Sequence, residues 1–411
     1  MLLLQMVATL AAVLLIALVL WEAFETVVLP RRVSRRFRLT RVYFRVTWRA
    51  WSAVARRVPS PERRELTLAI FGPLALLGLL AFWVILLIVA YALLLWGLGS
   101  PLTDAATHAP DFGSDLYFSG TTLLTLGLGD VAPHSGLARA VAVIEVGTGF
   151  ALLALVIGYL PVLYQAFSRR EQRISLLDAH AGSPPTAGAL LLRHPPDRRA
   201  RRLTRLLEEW ESWAAELLET HLSYPVLAYY RSQHEDQSWA TALAVILDAC
   251  ALVLACGSDL LGEEELIEQA AFTFAMARHA AVDLAQFFHT PRTRLNAHDG
   301  RLPPDQRARL RDVLVRIGLA PDMGGTIEVT RTSTRLDELR ALYEPYLEGL
   351  AAYQLMALPP WVPAPEALDD WQTTADNLTA PSITALVAHQ RSRRPDRVVH
   401  TGRPAPPADH P

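Results

Sequence analysis

The 411-residue sequence predicts an all-α membrane protein in which a membrane half precedes a helical cytoplasmic half. Three observations lead to this fold class. Hydrophobic residues make up 51% of the chain and charged residues only 19%, so the chain is more apolar than an ordinary soluble protein. Three apolar runs of membrane-spanning length lie within the first 170 residues. Beyond them the apolar residues recur mainly at helical spacing.

The first apolar run covers residues 2–20 of a predicted N-terminal helix, 1–30. It has no positive segment before it and no small-residue cleavage pattern after it, so an uncleaved transmembrane helix is favoured over a signal peptide. The second and third runs, Leu66–Trp96 and Leu137–Phe167, are each long enough to cross the bilayer with tilt.

The arginines predict the orientation of these spans. Residues 31–64 contain twelve arginines, whereas the connection from Ser100 to Leu137 contains none. By the positive-inside rule the first loop is cytoplasmic. We therefore expect a multi-pass protein of the cell membrane with three transmembrane helices, an external N-terminus and a cytoplasmic C-terminal half. Membrane lipid is accordingly an expected partner.

The basic loop, 31–65, is predicted to contain an amphipathic helix. Its arginines fall on one helical face and its aromatic residues on another: Arg38, Arg41, Arg45, Arg49 and Arg56 against Phe37, Phe44, Trp48 and Trp51. Such interleaving is typical of a helix that lies on the inner membrane surface. A solvated basic linker is the open alternative.

The connection between the second and third spans has an unusual pattern. Ser114 or Asp115 is a candidate N-cap for a short helix that ends near Leu124. In the next strip, Thr125–Asp130, glycines alternate with apolar residues. Non-helical backbone at membrane depth must be buried in protein or line water. Glycines permit positive φ, so successive carbonyls can turn toward one axis, and four strips would form stacked rings of oxygens that bind an ion.

This strip, Thr-Leu-Gly-Leu-Gly-Asp, resembles the pore signature of potassium channels, which is usually written TVGYGD. It differs at Leu126, where the family has Val, and at Leu128, where the family has Tyr. The resemblance implies a homotetrameric potassium-channel pore domain over 66–170. Its parts would be an outer helix at 66–97, a pore helix and filter at 113–131, and an inner helix at 137–167.

The resemblance also implies residue roles. The ion-binding residues would be Thr125, Leu126, Gly127, Leu128 and Gly129, with K⁺ as the permeant metal ion on the first four. Asp130 would support the filter. The gating elements would be Gly147, Gly149, Gly158 and Pro161 on the inner helix, although a bend without gating remains open. A weakly selective cation channel and a non-conducting receptor or scaffold are the alternative functions.

Two ionisable residues near the filter have two open interpretations each. Glu145 lies inside a membrane span, where burying a carboxylate costs free energy. An ionisable residue at such a position therefore indicates a functional role by default. We expect it either to brace the filter or to hold helices together as a protonated or paired group. His134 could sense external pH or be a solvated residue of the mouth.

The remainder of the chain is predicted to form a linker over 171–197, a helical cytoplasmic domain over 198–358 and a Pro-rich, disordered tail over 359–411. The domain should contain helices near 198–222, 238–257, 263–289, 304–318 and 334–356. Trp239–Cys256 is apolar but only 18 residues long, with Asp248 at its centre, so a core helix is favoured over a fourth span.

Composition excludes several functions. The chain contains no Lys, so it has no P-loop or Schiff-base lysine, and no catalytic set or metal-ligand spacing is evident. Cys250 and Cys256 should be reduced core residues. We expect no enzyme, no cofactor apart from K⁺ as permeant ion, and no nucleic-acid partner. Whether the cytoplasmic domain binds a ligand or only holds the tetramer together stays open.

Overall fold

The computed structural model describes residues 2–29, 38–104, 111–194, 199–232, 237–261, 263–293, 300–317 and 326–364. These ranges are almost entirely helical. The membrane half contains α1 (Leu2–Val27), α2 (Leu39–Ala55), α3 (Pro61–Gly97), α4 (Phe112–Leu123) and α5 (Gly136–Ala181). Two short antiparallel strands, β1 (Leu102–Asp104) and β2 (Val131–Pro133), flank α4. The second half contains α6 (Ala187–Arg193), α7 (Arg199–Ser223), a 3-10 helix (Pro225–Tyr229), α8 (Trp239–Leu261), α9 (Glu264–Phe287), α10 (Pro304–Arg316), α11 (Thr326–Ala341) and α12 (Glu344–Gln354).

Four of the described helices are long and apolar enough to cross a membrane. They are α1, α3, α5 and the part of α8 up to Gly257. In α8, 94% of the apolar window is buried inside the protein, against 11%, 39% and 22% in α1, α3 and α5. A helix enclosed by protein does not need lipid, so this burial favours the core position predicted for Trp239–Cys256. The protein is an all-α membrane protein.

Helices α1 and α3 pack against each other in an antiparallel arrangement. Gly97 at the end of α3 approaches α1 so closely that an added Cβ would overlap Thr9. At the other end of α1, Glu22 Oε2 accepts hydrogen bonds from the backbone N–H of Thr40 at 3.2 Å and from its hydroxyl at 2.9 Å. Because Thr40 lies in the first turn of α2, this carboxylate ties α2 to the end of α1.

The aromatic face of α2 contacts protein. Phe44 and Trp48 are buried, and Trp48 Nε1 donates to the carbonyl of Tyr353 at 3.1 Å. The ring of Phe44 stacks on Tyr229, with the centroids 5.8 Å apart. These two rings therefore pack against protein, and the position of this helix on the inner membrane surface stays a prediction. Phe37 lies outside the described residues.

Helix α5 is the element that joins the two halves. It has 46 residues, which at about 1.5 Å per residue is roughly twice the thickness of the hydrocarbon core. It continues through Pro161 and past the predicted end of the inner helix. Ile174 and Leu177 are buried in the core of the cytoplasmic half. The predicted linker over 171–197 is therefore wrong, because its first part continues α5 and α6 follows within it.

The core of the second half of the chain is built around α8. Most of this helix is buried, and both cysteines are buried and free, which confirms that they are reduced core residues. The buried Asp248 accepts from Arg301 Nη1 at 2.9 Å and Nη2 at 2.7 Å, and from the hydroxyl of Tyr343 at 2.6 Å. Removing one member of such a buried pair typically costs about 3–5 kcal/mol, because it leaves the other charge unpaired.

Two further predictions need correction. The single helix expected over 334–356 is divided into α11 and α12, and Pro345 stands in the first turn of α12, where its missing N–H is tolerated.

The predicted tail begins too early. Trp361 is fully buried and its carbonyl accepts from the backbone N–H of Gly188 at 2.9 Å. The rest of the tail, 365–411, lies outside the described residues.

His221 should make the stability of this half depend on pH. Burial, reinforced by the adjacent Arg170 guanidinium, lowers the pKa of His221 to about 3. An unfolded histidine titrates near pH 6.5, so between pH 6.5 and 3 the unfolded chain binds one more proton here than the folded chain. As the pH falls through this window, His221 should lower the free energy of unfolding by up to about 1.4 kcal/mol per pH unit.

Thermal unfolding of the purified protein between pH 7 and pH 5 measures this effect. His221→Gln should show a shallower loss of Tm than the wild type, since the amide does not titrate. The matched control is His279→Gln at an exposed position, which should keep the wild-type slope. Equal slopes for His221→Gln and the wild type would contradict the prediction.

Candidate ion pathway

Helix α4 is a short helix held between α3 and α5. Its N-cap is Asp111, whose Oδ1 accepts from the backbone N–H of Ser114 at 2.9 Å. The expectation that Ser114 or Asp115 caps this helix is therefore wrong. Asp115 is instead fully buried, and its Oδ2 accepts from the Ser100 hydroxyl at 2.6 Å. This carboxylate braces α4 against the end of α3.

The strip after α4 has an alternating backbone. Thr125, Gly127 and Gly129 have positive φ angles of 59°, 59° and 80°, whereas Leu126 and Leu128 between them do not. When the handedness alternates in this way, successive N–H groups turn to one side and successive carbonyls to the other. Thr125 adopts the left-handed region without being a glycine, which is uncommon and indicates a constrained segment.

The strip is attached to α4 at its beginning. The backbone N–H of Leu126 donates to the carbonyl of Thr121 at 2.7 Å, and that of Thr125 donates to Thr122 at 3.0 Å. Within the described residues, nothing donates to the carbonyls of 125–129. The residues of the strip are exposed in this single chain, so these carbonyls are free to accept from water or to bind a cation. This row of free carbonyls is the central chemical feature of the site.

The strip is exposed in the isolated chain. Leu126 and Leu128 are 60% and 63% exposed, and an added Cβ at Gly127 or Gly129 would meet nothing within 4 Å. One side of α5 is also apolar and exposed, at Val143, Ile144, Phe150, Leu153 and Ile157. Continuous apolar exposure of this extent is typical of surfaces covered by lipid or by another subunit.

The outer end of the strip is held by Asp130. Its Oδ2 accepts from the Tyr117 hydroxyl of α4 at 2.9 Å. β2 follows at once and pairs with β1, so the strip is fixed at both ends. Arg139 Nε donates to the carbonyl of Pro133 at 3.3 Å. The backbone N–H of His134 donates to the carbonyl of Pro101.

Glu145 connects α5 to the back of α4. It is fully buried, and Ser119 Oγ lies 2.5 Å from its Oε1 and 2.8 Å from the carbonyl of Ile88. A serine hydroxyl has one hydrogen and cannot donate to both acceptors. A protonated Oε1 that donates to Ser119, while Ser119 donates to Ile88, satisfies these two bonds and leaves Glu145 Oε2 without a partner among the described residues. Glu145 thus joins three helices next to the strip.

The predicted gating residues have different surroundings. Gly149 is a close-packing position, since an added Cβ would overlap the carbonyl of Leu123 at the end of α4. An added Cβ at Gly147 or Gly158 would meet nothing within 4 Å in this chain. Pro161 lies inside α5 without ending it. The geometry therefore assigns Gly149 to the contact between α4 and α5.

Arg170, on the extension of α5, is a functional candidate that the sequence did not indicate. It is buried, and its guanidinium donates to the carbonyls of Leu227 at 2.9 Å and Tyr230 at 2.7 Å and lies 3.2 Å from His221 Nε2. In the sequence it looked like one more arginine following a span. No local signal reveals its partners, because they lie 51–60 residues away along the chain.

Residues 78–165 match the model of a protein family described as "Ion channel". The matched range contains most of α3, all of α4, the strip and the membrane part of α5. An uncharacterized membrane protein of Bacillus subtilis (strain 168), YdjJ, is 29% identical over 197 residues. The alignment covers 47% of this chain and 56% of that protein, so it spans about half the length of either. No solved structure matches the chain.

The packing of Gly149 against α4 gives a stability prediction. Gly149→Ala should lower the free energy of unfolding by about 1–3 kcal/mol, because the methyl group must displace the Leu123 carbonyl or the helix. Gly147→Ala on the same helix is the matched control. It adds a methyl group without a neighbour and should be neutral or stabilising by about 0.5–1 kcal/mol. Thermal unfolding of the purified protein measures both, and equal Tm values would refute the packing role.

Proposed function

We propose that four chains assemble into a potassium-selective pore of the pore-loop, two-transmembrane type, since residues 78–165 match the family model described as "Ion channel". The observation that carries the proposal is the row of carbonyls at 125–129 to which no described residue donates. Carbonyl oxygens are the ligands that replace the hydration shell of K⁺ in selectivity filters. Flux would be passive, down the electrochemical gradient, and no catalytic step is involved.

A homotetramer follows from the number of ligands. One chain supplies one strip, and a ring of oxygens around an axis needs several. A closed rotational assembly brings the same exposed surface of each chain to the axis, which is what the exposed strip and the exposed side of α5 require. The ion would lie between the carbonyls of Thr125, Leu126, Gly127, Leu128 and Gly129, with the Thr125 hydroxyl at the innermost site.

The proposed topology places the N-terminus outside and the second half of the chain in the cytoplasm. The twelve arginines of 31–64 would then lie at the inner surface, as the positive-inside rule expects. α1, α3 and α5 would cross the membrane, while α8 would stay in the cytoplasmic core. Asp130 and Glu145 would support the filter from its outer end and from behind.

The reversal potential of the purified protein in planar bilayers, with K⁺ on one side and Na⁺ on the other, tests this proposal. We expect a value close to the K⁺ equilibrium potential. A reversal near zero with clear current would instead indicate the weakly selective cation channel that Leu128 raises as an alternative. No current from a protein shown to be tetrameric would favour the scaffold alternative or a closed gate.

Gly127→Ala tests whether the strip is the conducting element. At φ 59° an alanine is strained by about 1–2 kcal/mol in each subunit, so the carbonyls should turn away and the current should be lost. The matched control is Gly99→Ala, which has φ 89° but lies outside the strip and has open space around it. Gly99→Ala should keep the wild-type reversal potential. Loss of current in both variants would contradict a specific role for Gly127.

We further propose that the cytoplasmic half gates the pore through α5. This helix runs from the end of the filter to the domain without a break, and Arg170 attaches it to the chain that follows α7. A movement of the domain would therefore displace α5 directly. A regulating ligand must bind the open and closed arrangements with different affinities to act in this way.

Arg170→Gln should change gating without changing selectivity. Hydrogen bonds from a charged group contribute about 1.5–3 kcal/mol each, so their loss should change the ratio of open to closed channels at least about tenfold. The reversal potential should stay unchanged, because the filter is untouched. Arg169→Gln is the control. The side chain of Arg169, which precedes Arg170, is exposed, and its Nη1 lies 3.8 Å from Glu216 Oε1. Equal open probabilities in single-channel recordings would refute this coupling.

A further inference from the structure

A cavity of about 80 Å³ lies where α1, α2, α3 and α5 meet the cytoplasmic half. Part of its wall is apolar, formed by Leu76 and Leu79 of α3 and by Tyr159 of α5. Another part is cationic, formed by Arg38, Arg41 and Arg45 of α2. The cavity thus combines an apolar surface and a basic surface within one space.

The cationic side of the cavity is only partly neutralised by carboxylates. Among the described lining residues, Glu25 is the one carboxylate, and its Oε2 lies 3.7 Å from Arg38 Nε. Arg41 and Arg45 have no carboxylate within 4 Å in the described part of the chain. The guanidinium of Arg41 instead lies 5.9 Å from the ring centroid of Phe287. Burial, Arg38 and Arg45 lower the pKa of Arg41 by more than the Glu22 carboxylate raises it, so an anion between the arginines would relieve their remaining repulsion.

The cavity lies at the depth where lipid headgroups are found. About 20 helical residues cross the hydrocarbon core. Counted from the outer end of α3 at Gly97, they end near Leu77, and counted from the start of α5 at Gly136, they end near Val156. Leu76 and Tyr159 border the cavity close to these positions. The arginines therefore lie just beyond the inner boundary of the hydrocarbon core.

The volume fits a small polar group. The cavity volume of about 80 Å³ is well above the minimum of about 10–15 Å³ that one water needs, so the cavity has room for a small polar group. A guanidinium presents several N–H donors in a planar arrangement that matches phosphate oxygens. The cavity is too small to enclose acyl chains, which would have to lie outside it along the membrane helices.

We propose that this cavity binds a phosphate-bearing anion on Arg41 and Arg45, and that its source is the headgroup of an anionic lipid of the inner leaflet. The apolar walls and the depth of the cavity favour a lipid over a free phosphate. The bound headgroup would contact α2, α5 and the cytoplasmic half together. The inference rests on the proposed arrangement of the spans but not on conduction, so a binding measurement separates its failure from that of the channel.

The test uses the full-length protein purified in a neutral detergent. Its Tm is measured during titration with phosphatidylglycerol, with phosphatidylcholine and with inorganic phosphate. Phosphatidylglycerol should raise the Tm by about 2–4 °C, because a ligand that binds only the folded state stabilises it. Phosphatidylcholine and inorganic phosphate at the same concentrations should have no comparable effect.

Two variants and one control assign the effect to the cavity. Arg41→Gln/Arg45→Gln should weaken the apparent affinity for phosphatidylglycerol at least about tenfold, since it removes both charge-assisted contacts. Leu76→Phe fills the cavity without changing its charge and should weaken binding as well. Arg49→Gln/Arg56→Gln removes the same charge from exposed positions of the same segment, outside the cavity, and should bind like the wild type.

The outcomes separate the sources of the phosphate group. An equal effect of inorganic phosphate, lost in Arg41→Gln/Arg45→Gln, would support the phosphate site but overturn the lipid as its source. An equal effect of phosphatidylcholine would overturn the anion site. A double variant that binds phosphatidylglycerol like the wild type and like the Arg49→Gln/Arg56→Gln control would overturn it too, and this result does not depend on any current.

Discussion

The structure of the membrane half depends on one constraint, that backbone polar groups cannot remain unpaired in hydrocarbon. The strip at 125–129 breaks the helical pattern at membrane depth and leaves its carbonyls without donors from the described residues. The neighbouring elements hold the strip at both of its ends. α4 supplies the anchoring carbonyls of Thr121 and Thr122, while Tyr117 and β1 hold the outer end. This row of free carbonyls is the feature on which the proposed ion site and the proposed tetramer rest.

The contacts behind the strip extend the same constraint to the rest of the protein. Glu145 and Gly149 press α5 against α4, one through a short hydrogen bond and the other through the absence of a side chain. α5 then continues as a single helix until its buried residues belong to the cytoplasmic core. One continuous helix therefore connects the segment that follows the strip with the core of the second half. The buried Arg170 is the point at which this connection is made.

The junction between the halves is aromatic and basic. Trp48, Phe44, Phe71 and Tyr229 pack against one another, so α2 is held between the membrane helices and the cytoplasmic half. Arg41 and Arg45 of α2 border the cavity. One short amphipathic helix therefore has a packing function on one face and a cationic surface on another. The carboxylate of Glu22 fixes the angle at which this helix leaves α1.

The sequence by itself determined the features that follow from local pattern. Apolar length predicted the spans, glycine alternation predicted the strip, and helical periodicity predicted five segments of the second half to within a few residues for most of their ends. Only the tertiary structure decided which groups meet. The burial of Asp115, the role of Gly149 and the partner of Trp48 depend on residues 15, 26 and 305 positions away. Hydropathy indicates whether a residue prefers water or an apolar environment. The spacing of apolar residues indicates which residues within one or two helical turns share a face. Contacts between distant segments arise only when the chain is packed, so no local pattern contains them.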